Sequence, residues 1–323
     1  MRRSMRSQGE KIMPVDPTIV YRRVRQLSGS GPTITPAKAR AVATGLRRAA
    51  AMAPEVVADV THLHDLTDTV AATPVSVLAR PGWAQAAAVS VAPLLDDVVD
   101  GGRFADRLAS EELAGALAFL APRILGQYDP FALTALPGRG LPIAGRLLLV
   151  APNIWEFATE WNLDIMDVQL FVSVHEFTHA FQFAAANWLK DVIIAKVQIA
   201  IDSLEDGADD DAFGDLLALM AVLEGHAEHV MNAVPIARIP SRRRITAAVA
   251  ARRGRGSAVS KQINRLLGID LKLDQYADGE RFVSAIIAAE GHEGFNEIWR
   301  SPLHLPSAAE VKDPQSWASR VLS

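Results

Sequence analysis

The sequence predicts an α+β protein that is predominantly α-helical. Alanine, leucine and valine recur at helical spacing from residue 36 onward, and glycine and proline interrupt the pattern at "ATPVS", "RPGW", "LPGRGLP" and "RSPLHLP". One apolar run, "RLLLVAPN" at 146–153, is bounded by turn residues and is too short for a helix of this chain, so it predicts a β-strand. The 323 residues are enough to bury a substantial hydrophobic core.

The helical pattern divides the chain into segments of ordinary length. The predicted helices span about 36–52, 82–99, 103–124, 164–188, 190–205, 211–233, 257–267, 273–290 and 292–300. We expect one domain over 1–323, with a helical N-terminal part (1–140), a central core (141–235) and a C-terminal helical part (236–323).

The composition excludes several classes of protein. Half of the residues are hydrophobic, 22% are charged and the formal net charge is -4, which argues against disorder and against a nucleic-acid partner. The chain has no cysteine, so any metal must be held by His, Asp or Glu. No run approaches the roughly 18 apolar residues of a membrane span, and no apolar stretch follows the basic N-terminus as in a signal peptide. We expect a cytoplasmic protein with no membrane partner, and the oligomeric state stays open.

One basic segment, 238–265, differs from the rest of the chain. It contains nine basic residues and no acidic one. The segment could be a patch for an anionic partner, or a solvated and mobile connection between helices. It has no interleaved aromatic residues and no nucleic-acid motif, which favours the connection.

A pair of histidines interrupts an apolar helical run, "LFVSVHEFTHAFQF" at 170–183. His175 and His179 are four residues apart, so on a helix they share one face with their Cβ atoms about 5–6 Å apart. Two imidazoles at that separation can share one zinc ion. Glu176 points about 100° away and can reach a water on the metal to accept its proton. The other hypothesis is that both histidines are core residues bonded to backbone carbonyls, with Glu176 at a solvent edge. Asp164 or Asp167 can cap the start of this helix.

A third ligand is expected from "DDDAFGDLLALMAVLEGHAEHVMNAVP", residues 209–235. Glu224 falls on the same helical stripe as Leu217, Met220 and Met231, where an ionised carboxylate is costly without a cation. Gly225 costs about 1 kcal/mol relative to alanine in a helix, which makes sense if another backbone approaches closely.

The same helix carries other polar candidates. Glu228, one turn after Glu224, is predicted to fix the tautomer of one histidine. His226 and His229 are rival ligands, although His229 lies about 140° round the helix from Glu224. We favour Glu224 as the ligand and interpret both histidines as surface or capping residues.

Two residues in "LKLDQYADGERFV" could act on a substrate. Tyr276 could polarise a carbonyl or hold an oxyanion, and Arg281 is an equal candidate for this role. A buried structural tyrosine is the simpler interpretation of Tyr276.

These segments resemble a known family. "VHEFTHAFQF" followed by "LEGHAEHVM" resembles the zincin metallopeptidases with a glutamate third ligand, and within them the bacterial zincin-like family of candidate hydrolases associated with coenzyme F420 biosynthesis. The resemblance implies that His175 and His179 are ligands, Glu176 is the general base and Glu224 is the third ligand. It also implies a zincin-like core with a small β-sheet beside the metal-binding helix. Related zincins often have an aspartate where this chain has Glu228.

The residues and the resemblance together predict a Zn²⁺-dependent hydrolase that acts on a peptide or another amide, with Glu176 as the base. Two alternatives remain open. The chain could be a non-catalytic binding or scaffold protein stabilised by its metal, or an anion- or nucleic-acid-binding module that uses 238–265. An open fourth coordination position in a groove would favour the enzyme over the scaffold.

Overall fold

The computed structural model describes residues 15–29, 31–95, 102–134, 143–206, 210–252 and 275–323. The chain divides into two compact units. The first unit consists of Met1–Thr33 and Leu78–Ile124, and the second consists of Ile34–Val77 and Leu125–Ser323. Among the described helices, none is both long enough and apolar enough to cross a membrane.

The first unit is helical. Its elements are α1 (Pro17–Leu27), α4 (Arg80–Leu95) and α5 (Gly102–Leu120). Asp16 caps α1 by accepting a hydrogen bond from the backbone N–H of Thr18, and its own N–H donates to the Ser110 hydroxyl at 2.9 Å. Val20 and Val24 are fully buried one turn apart, so a narrow apolar stripe holds α1 against its neighbours.

The second unit contains the remaining elements. Its longer helices are α2 (Pro36–Thr61), α6 (Ala151–Glu160), α7 (Ile165–Ala185), α8 (Leu189–Asp206), α9 (Asp210–Ala233), α10 (242–252) and α11 (Gln275–Asn296); its short helices are α3 (Thr67–Ala71), α12 (Ala308–Lys312) and α13 (Pro314–Val321). Three short 3₁₀ turns lie at His64–Leu66, Glu297–Trp299 and Pro302–His304.

A three-stranded sheet lies beside the helices. Its strands are β1 (Val75–Leu78), β2 (Gly126–Thr134) and β3 (Ile143–Val150), in the order β1-β3-β2. β2 pairs antiparallel with β3, with Tyr128 opposite Leu147, and the register shifts between Asp129 and Leu133. β2 is therefore an edge strand, and its contact with α7 positions one of the functional side chains described below.

Helix α7 lies in the larger of the two hydrophobic cores that the described residues of the second unit form. Asp164 is its N-cap and accepts hydrogen bonds from the N–H groups of Met166 and Asp167. The side chains of α7 pack against α2, α6 and β3 through buried residues that include Leu46, Leu147, Leu149, Ile154, Val174, Phe177 and Phe181. A helix buried on most sides needs apolar residues all round, which explains why its sequence shows no clear amphipathic stripe.

The smaller core joins α9 to α11 and the C-terminal helices. Its buried residues include Leu219, Val222, Phe282, Ile286, Phe295, Trp299 and Trp317. The predicted break between helices 273–290 and 292–300 is confirmed, because α11 consists of two helical stretches separated at Gly291, whose φ of 72° is not helical. The second stretch ends at Asn296 rather than at residue 300, and a 3₁₀ turn follows.

The predicted fold class is confirmed: the protein is α+β and mostly helical, with a small sheet. The strand predicted at 146–153 ends at Val150, because Pro152 is suited to the first turn of α6. The strands β1 and β2 were not predicted, and the predicted helix 257–267 lies outside the described residues.

Residues 238–252 of the basic segment belong to the folded second unit. Residues 242–252 form α10, and Ile239, Ile245 and Ala248 are buried in the second unit. The N–H of Ser241 donates to the Asp167 carboxylate at 2.7 Å. The expectation of a mobile connection is therefore wrong for 238–252, because its apolar residues dock on the core. The remainder, 253–265, lies outside the described residues.

Candidate metal centre

Helices α7 and α9 bring together two imidazoles and one carboxylate. The Nε2 atoms of His175 and His179 each lie 3.7 Å from an oxygen of Glu224. One ligand atom from each of the three lies within 4.8 Å of the others, and this is the one group of three or more such residues in the described ranges. All three side chains are partly exposed.

The donor set fits a zinc ion. Two ligand atoms bound tetrahedrally at 2.0–2.1 Å are about 3.4 Å apart, which is close to the observed 3.7 Å. Two imidazole nitrogens and one carboxylate are ligands that zinc takes in sites that keep an open position. Small side-chain movements would thus suffice for one ion to be held by His175, His179 and Glu224.

The position of Glu224 depends on a close crossing of α9 and α11. A Cβ atom on Gly225 would lie 2.3 Å from the carbonyl carbon of Gly279, and a Cβ on Gly279 would lie 1.9 Å from the carbonyl oxygen of Ala221. Side chains at either glycine would force the helices apart. The prediction that another backbone approaches Gly225 is confirmed.

Gln182, which the sequence analysis did not name, orients His179. Its Nε2 donates to the Leu223 carbonyl at 2.9 Å, so the amide oxygen must face the other way, 3.0 Å from Nδ1 of His179. Because that oxygen can only accept, Nδ1 carries the proton and Nε2 presents its lone pair toward Glu224. Gln182 is fully buried, and its place three residues after His179 in "HAFQF" was an available signal. The orienting role expected of Glu228 stays a prediction.

Glu176 is buried beside the ligand group, with 7% of its surface exposed. Its Oε2 accepts a hydrogen bond from the N–H of Tyr128 in β2 at 2.8 Å. Gly126 makes room for it, because a Cβ there would lie 2.7 Å from Cγ of Glu176. The alternative that placed Glu176 at a solvent edge is therefore wrong.

The same surroundings set the acidity of Glu176. The pKa of Glu176 is raised to about 7, mainly by burial; His179 opposes this rise, the charge of Glu224 adds to it, and the Tyr128 N–H opposes it. A carboxylate with a pKa near neutrality is suited to taking up and returning a proton.

The rival histidines lie outside the ligand group. His226 is fully buried, so its interpretation as a surface residue is wrong. Its ring packs against those of Phe295 and Trp299 at 4.9 and 5.5 Å, and its Nδ1 lies 3.1 Å from Nε2 of Gln182. Burial, followed by the nearby histidines, lowers its pKa well below the usual value.

His229 is half-buried, and its Nδ1 lies 2.9 Å from the Ser284 hydroxyl. Its ring is 6.0 Å from that of His292. Burial lowers the pKa of His229, while Glu280 opposes the shift. These contacts of His229 are thus with residues of α11 and not with Glu224.

The two remaining candidates, Arg281 and Tyr276, belong to α11. Arg281 is exposed and forms an ion pair with Asp278. Tyr276 lies in the first turn of α11, and its side chain falls outside the described part of the structure. Their suggested roles toward a substrate remain predictions.

A mostly helical α+β fold, with H-E-x-x-H on one helix and a glutamate on a second, defines the zincin class of metal-dependent hydrolases. The family model described as "Zincin-like metallopeptidase" matches residues 15–210 and 199–318, so the chain belongs to this family. Membership implies a metallohydrolase with a divalent metal, typically zinc. The coenzyme F420 association stays a prediction.

A solved structure is also similar. The crystal structure of "a putative hydrolase with a novel fold" from Chloroflexus aurantiacus has a TM-score of 0.71 and 29% sequence identity. The match covers 95% of this chain and 98% of that one. No curated protein matches the chain.

Proposed function

We propose that this protein is a zinc-dependent hydrolase of amide bonds, with peptides as the expected substrates. In this proposal His175, His179 and Glu224 hold the metal and Glu176 is the general base. The observation that carries the proposal is a buried carboxylate, that of Glu176, placed beside a group of two imidazoles and a second carboxylate, that of Glu224. Family membership supports the same chemistry.

Zinc, when bound, lowers the pKa of water and polarises a substrate carbonyl. Glu176 takes a proton from the attacking water as the new C–O bond forms. It then donates that proton to the amine nitrogen as the C–N bond breaks. The Tyr128 N–H holds the carboxylate of Glu176 in place, so little conformational freedom is lost during the reaction.

Gln182 has a supporting role in this mechanism. It holds the proton of His179 on Nδ1, so that Nε2 stays available as a metal ligand. The ligand group is partly exposed, which supports entry of a substrate and opposes a purely structural metal site.

Glu176→Gln tests the role of the base. We expect the variant to keep stoichiometric zinc but to lose amide hydrolysis by at least about 100-fold, because a base contributes about 10²–10⁴-fold. Zinc would be measured by elemental analysis, and hydrolysis by mass spectrometry of a mixed peptide library incubated with zinc-loaded protein. Glu55→Gln is the matched control, since Glu55 is exposed on α2.

Two results would contradict the proposal. Loss of zinc from Glu176→Gln as severe as that from His175→Ala would make Glu176 a ligand. A zinc-loaded wild-type protein that cleaves no member of the library would favour the metal-stabilised scaffold.

A further inference from the structure

A groove on the second unit lies between α2 and the first turns of α7. Its volume is about 520 Å³, within the range of small-molecule sites. Its walls are apolar and include Met52, Trp155, Ile165, Met166 and Leu170. Met52 is 44% exposed and Met166 is 65% exposed, so two flexible apolar side chains present their surface to solvent.

A buried amide contributes to the floor of the groove. Gln169 is 3% exposed, and its Nε2 donates to the Val42 carbonyl at 3.1 Å, which fixes the orientation of the amide. Its Oε1 lies over Gly45, where an added Cβ would be only 2.3 Å away. Both Gln169 and Gly45 line the groove. Because no donor among the described residues reaches this Oε1, it requires one from solvent or from a ligand.

Positive charge surrounds the groove. Lys38, Arg48 and Arg238 line it together with one acid, Asp167, whose carboxylate accepts from a backbone N–H. Arg238 also lies 3.6 Å from the carboxylate of Asp59, which offsets part of its charge. Lys38 lies over the Trp155 ring, with its Nζ 4.5 Å from the ring centroid. Arg48 forms no ion pair with any residue that the structure describes. The charges therefore favour an anionic ligand.

We propose that this groove binds an amphipathic carboxylate that also carries an N–H donor, an N-acyl amino acid being the simplest example. The acyl chain would lie against Met52 and Met166, and the N–H would donate to Oε1 of Gln169. Arg48 is three residues from Gly45 and hence on the same helical face, where it can meet the carboxylate. The site is independent of the proposed hydrolysis.

Titration calorimetry of the full-length, zinc-loaded protein with N-decanoylglycine tests the proposal. We expect one ligand to bind per chain. Arg48→Glu should weaken binding by at least about tenfold, because it replaces an attraction with a repulsion. Arg47→Glu is the matched control, with the same change of charge at an exposed neighbour that does not line the groove. It should change the affinity by less than about twofold.

Two further comparisons separate the recognition elements. The methyl ester of N-decanoylglycine lacks the charge and should bind weakly. Decanoate lacks the N–H, so Gln169→Leu should weaken N-decanoylglycine more than decanoate. Thermal unfolding of Gln169→Leu would verify that the variant folds. No saturable binding by the wild type, equal affinity for acid and ester, or equal losses in Arg48→Glu and Arg47→Glu would each overturn the proposal.

Discussion

Substitutions of Gln182 should distinguish its effect on the orientation of His179, a proposed metal ligand, from its effect on the stability of the fold. This fully buried amide makes three hydrogen bonds of 2.9–3.1 Å, to His179, the Leu223 carbonyl and His226. Gln182→Leu keeps a similar volume but leaves three polar groups without this partner, of which those of Leu223 and His226 are buried. At about 1–3 kcal/mol for each buried group left unpaired, discounted because the effects do not add, we expect a loss of about 2–4 kcal/mol in unfolding free energy.

The effect of Gln182→Leu on zinc should be distinct. Loss of the acceptor opposite Nδ1 of His179 should weaken zinc binding by about 10–100-fold. Gln182→Glu keeps an acceptor there but loses both donated hydrogen bonds, so it should retain zinc affinity while losing stability. Gln169→Leu is the control, since it removes another buried glutamine of the same helix and should leave zinc affinity unchanged.

Zinc affinity would be measured by competition with a chromophoric chelator, and stability by urea unfolding of the metal-free protein. The reasoning would be refuted if Gln182→Leu and Gln169→Leu reduced zinc affinity equally. It would also be refuted if Gln182→Glu lost zinc as severely as Gln182→Leu.

Three further predictions concern the second unit. Glu224→Ala should weaken zinc binding sharply and His229→Ala only slightly, as measured by the same chelator competition; a larger loss for His229→Ala would make the histidine the ligand. Gly225→Ala should lower the unfolding free energy, measured in urea, by at least about 1–3 kcal/mol, because its Cβ would overlap the backbone of α11. Gly214→Ala in the same helix is the control: its Cβ would meet no atom within 4 Å, so it should stabilise the protein slightly. Equal effects of the two substitutions would contradict the close crossing of α9 and α11. Burial and two neighbouring histidines lower the pKa of His292. The unfolded chain therefore binds more protons than the folded protein, and the melting temperature should fall as the pH drops below about 6.5. His292→Gln should make that fall smaller, and an unchanged fall would exclude His292 as its cause.

The sequence was most informative where the geometry is local. The spacing of His175 and His179 is set by one helix, so any helical assignment puts them on one face. Glu224 could be predicted as a ligand for an energetic reason, since a carboxylate on an apolar stripe needs a counter-charge. The close backbone approach at Gly225 could be predicted because glycine inside a helix is destabilising unless packing requires it.

Other features depend on contacts between distant segments. Gln182 gains its role from the Leu223 carbonyl, 41 residues away. His226 was interpreted as a surface or capping residue because it lies near the end of its helix, yet the aromatic side chains of Phe295 and Trp299 pack against its buried ring. The basic segment was misjudged because its charges outnumber its few apolar residues, although Ile239 and Ile245 are sufficient to dock it.

The edge strand β2 acts on Glu176 in two opposite ways. Burial against β2 disfavours the charged form of the carboxylate, while the Tyr128 N–H from the same strand donates to that form. The strand can approach this closely because Gly126 has no side chain. The contact that desolvates Glu176 thus also supplies a fixed donor, so a buried carboxylate can ionise near neutral pH while its orientation is held.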